Sequence, residues 1–129
     1  MCAQAAVIND QYEQELDQLH GKVLQTLGQV LELSSSDFAP AFTQVVKVIE
    51  LEFRREEQMM DTFQCPDAHQ HREQHARMQA GLHHAAAAME QGDPQVARRA
   101  LSDLKEWLPY HIATQDRHLM HWLREHSQH

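Results

Sequence analysis

The sequence predicts an all-α protein, an antiparallel up-down-up-down four-helix bundle. Three observations carry this. Apolar residues recur at steps of three and four along four long segments, only 4 Gly and 4 Pro punctuate 129 residues, and no alternating strand pattern competes. Four segments of roughly 22 to 32 residues joined by short breaks leave each helix antiparallel to the next.

The first helix is expected from about Asn9 to Leu33, with Tyr12, Leu16, Leu19, Val23, Leu27 and Val30 on one stripe. Ser34-Ser35-Ser36-Asp37 ends it and offers an N-cap for the next helix, with Pro40 acceptable in a first turn. The second helix, about Phe38 to Phe63, carries Phe42, Val45, Ile49, Phe53, Met60 and Phe63 inward. Cys65-Pro66-Asp67 breaks it, and Asp67 is placed to cap the third. That third helix, about Ala68 to Gln91, lines up Met78, Leu82, Ala85 and Met89, and the alanines from Ala85 to Ala88 favour helix by propensity. Gly92-Asp93-Pro94 is the clearest turn. The fourth segment, about Gln95 to His126, has Ala97, Leu101, Leu104, Leu108, Ile112, Leu119 and Leu123 on its stripe, and Pro109 predicts a kink or restart near Leu108.

Polar side chains interrupt these stripes at matching depth. His20 follows Leu16 by four; Glu52 follows Ile49 by three, and Glu56 precedes Met60 by four. His71 and His75, in the run HREQH, lie four apart in line with Met78 and Leu82, which puts two imidazoles one turn apart on one face. His111 follows Leu108 by three, and Asp116 follows Ile112 by four. An unpartnered buried polar group costs about 1 to 3 kcal/mol, and a domain is stable by only about 5 to 15 kcal/mol. Four imidazoles and three carboxylates in one core therefore predict a metal. Seven nitrogen and oxygen donors exceed one tetrahedral zinc, no cysteine faces them, and mixed imidazole and carboxylate donors suit a two-metal site of iron or manganese. Asp116 lies five after His111, about 140° round an ideal helix, so it is expected to bridge rather than bind one ion beside His111.

Composition bounds the function. A length of 129 residues predicts a single domain spanning 1–129, and a net charge of -8 argues against nucleic acid or an anionic membrane as partner. No apolar run approaches about 18 residues, so no membrane insertion is expected. The N-terminal stretch lacks a secretory pattern, and two cysteines, Cys2 and Cys65, make no disulfide framework. Cytoplasmic location is the expectation. The remaining histidines, His69, His83, His84, His121, His126 and His129, read as surface, while His118 shares the His111 face two turns on.

The set D-x-x-H at Asp17 to His20, F-x-x-E-E-x-x-M at Phe53 to Met60, H-x-x-x-H at His71 to His75 and W-L-x-x-H-I-x-x-x-D at Trp107 to Asp116 resembles hemerythrin, particularly the bacterial type, over about residues 8 to 120. The resemblance implies two iron ions with an oxo or hydroxo bridge. One would be held by His71, His75 and His111, the other by His20 and the residue one turn before Glu56. Glu56 and Asp116 would bridge them. In the family the second iron keeps an open position where dioxygen binds, and Phe53, Trp107, Leu108 and Ile112 match the residues that dry this pocket. One position departs from the pattern: Glu52 stands where the family has histidine. A carboxylate there lowers the site charge by one and stabilises ferric iron, which predicts faster autoxidation. Three functions stay open: an oxygen- or redox-sensing domain signalling to a partner or a C-terminal output domain, a diiron oxidase or peroxidase, and an oxygen carrier or store.

Overall fold

The computed structural model describes residues 2–126, with side chains from residue 13 onward. Five α-helices and one π-helical turn run in the order α1 (Cys2–Leu31), α2 (Ser35–Thr62), α3 (Ala68–Glu90), α4 (Pro94–His111), a π turn (Ile112–Asp116) and α5 (Arg117–His126). α4, the π turn and α5 form one continuous rod, so the architecture is four rods packed as a bundle. α1 packs on α2, α2 on α3 and α3 on α4, and α4 closes the ring against α1. No strand is present among the described residues.

The ends of the helices show why the rods alternate in direction. Arg98, in the first turns of α4, donates from its two Nη atoms to the carbonyls of Leu31 and Leu33 at 3.4 and 2.8 Å. It thereby caps the C-terminus of α1, where unpaired carbonyls and the helix dipole favour a cation. Its guanidinium also lies 4.2 Å over the Phe38 ring. At the opposite end Arg124 of α5 pairs with Glu13 of α1. The turn after α3 needs a left-handed residue, and Gly92 supplies it at φ 91°. The turn after α2 uses Gln64 at φ 51° for the same purpose.

Expected and observed boundaries agree to within a few residues, except that α1 begins at Cys2 rather than Asn9. Tyr12 and His129 fall outside the described side chains. Pro40 lies in the second turn of α2, because that helix starts at Ser35. Pro109 stays inside α4 without breaking it; the irregularity comes three residues later, as the π turn. Asp67 occupies the N-cap position of α3 but makes no side-chain cap bond. Its carboxylate instead pairs with His118 at 2.8 Å.

The interior is divided. A large apolar core joins Val23, Leu27, Phe38, Phe42, Ile49, Phe53, Leu82, Leu101, Leu104 and Leu108, among others. A smaller one joins Leu16, Met59, Met60, Leu119 and Leu123. Between them on every rod sit buried polar residues: His20 on α1, Glu52 and Glu56 on α2, His71 and His75 on α3, and His111 and Asp116 on the last rod.

Candidate metal centre

All seven donors expected from sequence meet in this layer, and they form two overlapping groups. Glu56, His71, His75, His111 and Asp116 each bring one nitrogen or oxygen that could ligate a metal into one cluster, and His20, Glu52, Glu56 and Asp116 do so in a second. Within each group the donor atoms lie within 4.8 Å of one another.

Distances show how the groups divide. His71 and His75 Nε2 lie 3.2 and 3.1 Å from Glu56 Oε1, whereas His20 Nε2 lies 3.2 Å from Glu56 Oε2. Asp116 does the same: Oδ1 is 2.9 Å from His71 Nε2 and 3.2 Å from His111 Nε2, and Oδ2 is 2.9 Å from His20 Nε2. Each of these two carboxylates thus offers one oxygen to either side, the arrangement of a bridging carboxylate. Glu52 serves only the second group, its Oε1 2.9 Å from His20 Nε2.

The π turn makes this geometry available. The backbone N–H of Arg117 bonds to the carbonyl of Ile112, five residues back, in place of the four of an α-helix. Widening the turn carries Asp116 back over His111, so both reach the same donor group despite a spacing of five. The offset expected from an ideal α-helix is thereby removed by the backbone, at a kind of irregularity that recurs at functional sites.

Aromatic rings and an amide fix the imidazoles. Phe53 stacks on His75, centroids 3.9 Å apart and planes within 4°. Trp107 stacks on His111 at 4.5 Å. Leu108 is fully buried in the large core, and Ile112 packs against it from the edge. His111 Nδ1–H donates to Gln74 Oε1 at 2.9 Å, which leaves the Nε2 lone pair facing the donor group. Gln74 was not anticipated: a glutamine on a helix flank gives no periodic signal, and only its position three after His71 hinted at it. His75 Nδ1 lies 3.6 Å from Glu57 Oε2.

The layer does not satisfy itself. Both oxygens of Glu52, both of Asp116, Glu56 Oε1 and His75 Nδ1 are buried without a hydrogen bond. Lone pairs that converge without donors between them are the arrangement a cation completes. The electrostatics agree. Burial and the neighbouring Asp116 push Glu56 up to about 8. Burial opposes charge on His20, but the surrounding Asp116, Glu52 and Glu56 push it up to about 12. Burial likewise opposes charge on His71, yet Asp116 and Glu56 raise it to about 9. Burial, reinforced by His71 and His111, drives His75 down to about 2. Burial works against ionised Asp116 too, but His111, His20 and His71 hold it well below the usual carboxylate range. Without metal the layer must hold protons where its carboxylates call for positive charge; metal ions would displace them.

The two sides are not equally enclosed. Phe53 and Trp107 close around the three-histidine group, whereas His20 and Asp116 form part of the wall of a surface groove of about 880 Å³ between α1 and the last rod. Leu24, Pro109, Ile112 and Met120 give it apolar walls. The other histidines take no part. His69, His83, His84, His118, His121 and His126 are exposed. Among the described residues no helix is long and apolar enough to cross a membrane.

The chain is 28% identical over 109 residues to a protein named Bacteriohemerythrin from Ralstonia nicotianae, covering 84% of this chain and 80% of that one. No solved structure matches. The family model described as the hemerythrin HHE cation binding domain matches residues 13–126, a span that contains every donor in the layer. The chain belongs to the hemerythrin HHE cation binding domain family.

Proposed function

We propose that the chain is a non-haem diiron protein that binds or reacts with dioxygen inside the bundle, acting as an oxygen- or redox-sensing domain. One observation carries the two-metal reading: Glu56 and Asp116 each present one oxygen to each donor group. In this reading His71, His75 and His111 would hold one iron and His20 and Glu52 the other, with Glu56 and Asp116 each offering an oxygen to both. Iron bound there would supply the electrons that dioxygen takes up. The chain's own residues do the rest. Phe53, Trp107, Leu108 and Ile112 keep the layer dry, Gln74 holds the His111 proton away from the metal side, and the groove beside His20 admits a small ligand. Asp116 is rooted in the π turn, so a change in its position is passed directly to α5, which suits output to a signalling partner. The whole chain acts in this reading as one unit, in the cytoplasm.

Glu52 favours sensing or oxidation over reversible carriage. It is fully buried beside His20, and its negative charge favours ferric iron at that position. The same carboxylate supports a second reading as a diiron oxidase or peroxidase. Rapid mixing of the reduced, iron-loaded protein with oxygen tests both. Fast oxidation without a persistent oxygenated spectrum is expected, and Glu52→His should lengthen the lifetime of that spectrum. A wild-type oxygenated spectrum that lasts and disappears under vacuum would make the protein a carrier instead. Turnover of peroxide with a reductant would select the enzyme.

A further inference from the structure

The two donor groups differ in chemistry. One gathers three imidazoles, His71, His75 and His111, with an oxygen each from Glu56 and Asp116; the other gathers a single imidazole, His20, with Glu52, Glu56 and Asp116. Glu56 and Asp116 serve both, so the contrast is three neutral nitrogens on one side against one nitrogen and a full negative charge on the other. Glu52 is 0% exposed, and among the described residues its close polar neighbour is His20, with Oε1 2.9 Å from Nε2, so its charge falls on the His20 side of the layer. Imidazole donors favour iron over manganese, while carboxylate oxygen suits manganese. Any such site binds Fe(II) more tightly than Mn(II), but the margin widens with nitrogen donors. It is wide in the three-histidine group and narrow in the group around His20 and Glu52. Access points the same way. His20 is 7% exposed and lines the groove, whereas His71, His75 and His111 are 3, 1 and 1% exposed and Phe53 and Trp107 stack on the last two, which favours ion exchange at the second position.

We propose that the two positions sort metals: when Fe(II) and excess Mn(II) are both available, iron occupies the His71–His75–His111 position and manganese the His20–Glu52 position. The inference rests on the two-metal reading above and changes the identity of one ion of the pair.

Metal-free protein would be loaded anaerobically with enough Fe(II) to fill both positions and a large excess of Mn(II), then desalted. Expected are one iron and one manganese per chain. Anomalous scattering at the two absorption edges should place iron among the three histidines and manganese beside Glu52, and manganese hyperfine structure should appear in the electron paramagnetic resonance spectrum. Two irons per chain, or both metals spread over both positions, would overturn the proposal. Glu52→His should recover two irons at the same metal ratio, and Glu52→Gln, which keeps the side chain's shape, should lose manganese while retaining iron at the three histidines. Unchanged manganese in both variants would also overturn it. Loading with Fe(II) alone separates the two readings: two irons leave the two-metal reading intact whatever the mixed loading gives, and a single ion overturns both.

Discussion

Replacing Gln74 with leucine should weaken metal binding at the three-histidine group and leave the His20 side nearly unchanged. The reasoning begins with the 2.9 Å hydrogen bond from His111 Nδ1–H to Gln74 Oε1. That bond selects the tautomer whose Nε2 lone pair faces the donor group, and it holds the ring against rotation on Trp107. Leucine has similar bulk, so packing is largely kept, but the ring is free to turn or to place its proton on Nε2. One such partner commonly contributes 10- to 100-fold in metal affinity, or about 1.4 to 2.8 kcal/mol. His111 is one of five donors in its group and belongs to no other, so the loss should fall on a single ion. Titration of metal-free protein against a competing chelator should therefore resolve two affinities, of which one falls by that factor in Gln74→Leu. Gln74→Glu, which gives the imidazole a stronger acceptor, should reverse the sign and tighten the same ion. An affinity within about twofold of wild type in both variants would show that Gln74 does not set the His111 tautomer, and an equal fall in both affinities would show general loosening of the bundle.

Three further outcomes are expected. Chelation should lower the melting temperature markedly, because ions bound only by the folded state add about 4 kcal/mol when present at a thousand times their dissociation constant; calorimetry with and without chelator checks this, and an unchanged transition would contradict a metal in the layer. For the metal-free protein, His75 is held down to about 2, so between that value and its ordinary 6.5 the unfolded chain binds a proton that the folded one does not. Its contribution is intact above pH 6.5 and is lost as pH falls, by about 1.4 kcal/mol per pH unit, a slope that urea unfolding at several pH values should show reduced in His75→Gln. Finally, Gln64 holds φ 51° in the turn after α2, and Gln64→Gly should stabilise the fold by about 1 kcal/mol in the same unfolding experiment.

The helices and the seven buried polar side chains of the layer were legible because each makes its mark on a repeating pattern. His20, Glu52 and Asp116 fall at positions where apolar residues should recur, and that conflict with the stripe is what exposes them. The π turn left no such mark. Ile-Ala-Thr-Gln-Asp has no composition that distinguishes a wider turn from an α-helix, and the geometry follows from what Asp116 meets on two other rods. Pro109, a strong local signal, pointed to a kink or restart near Leu108, whereas α4 runs through it to His111 and the irregularity follows at Ile112. Gln74 and the pairing of Asp67 with His118 were hidden for a related reason: a polar residue on a helix flank or in a turn reads as solvated until the partner from another rod is known.

The divided interior has a consequence for the order in which the molecule comes apart. The large core draws on all four rods and excludes the donor layer, so it can form before any ion arrives. Among the described residues the small core beyond the layer joins Leu16, two methionines of α2 and two leucines of α5, with Phe63, Cys65, Ala68 and Met120 packed against it and Trp122 Nε1 donating to the Phe63 carbonyl at 2.9 Å. Seen as a mechanical structure, the metal layer is a weld between a body that stands alone and an end cap that does not. Without ions, amide protons of α5 and of the adjoining part of α1 should exchange with deuterium long before those around Leu27 and Leu104, and loading metal should close that gap. The end that α5 would present to a partner is thus also the end whose order depends on what the layer holds.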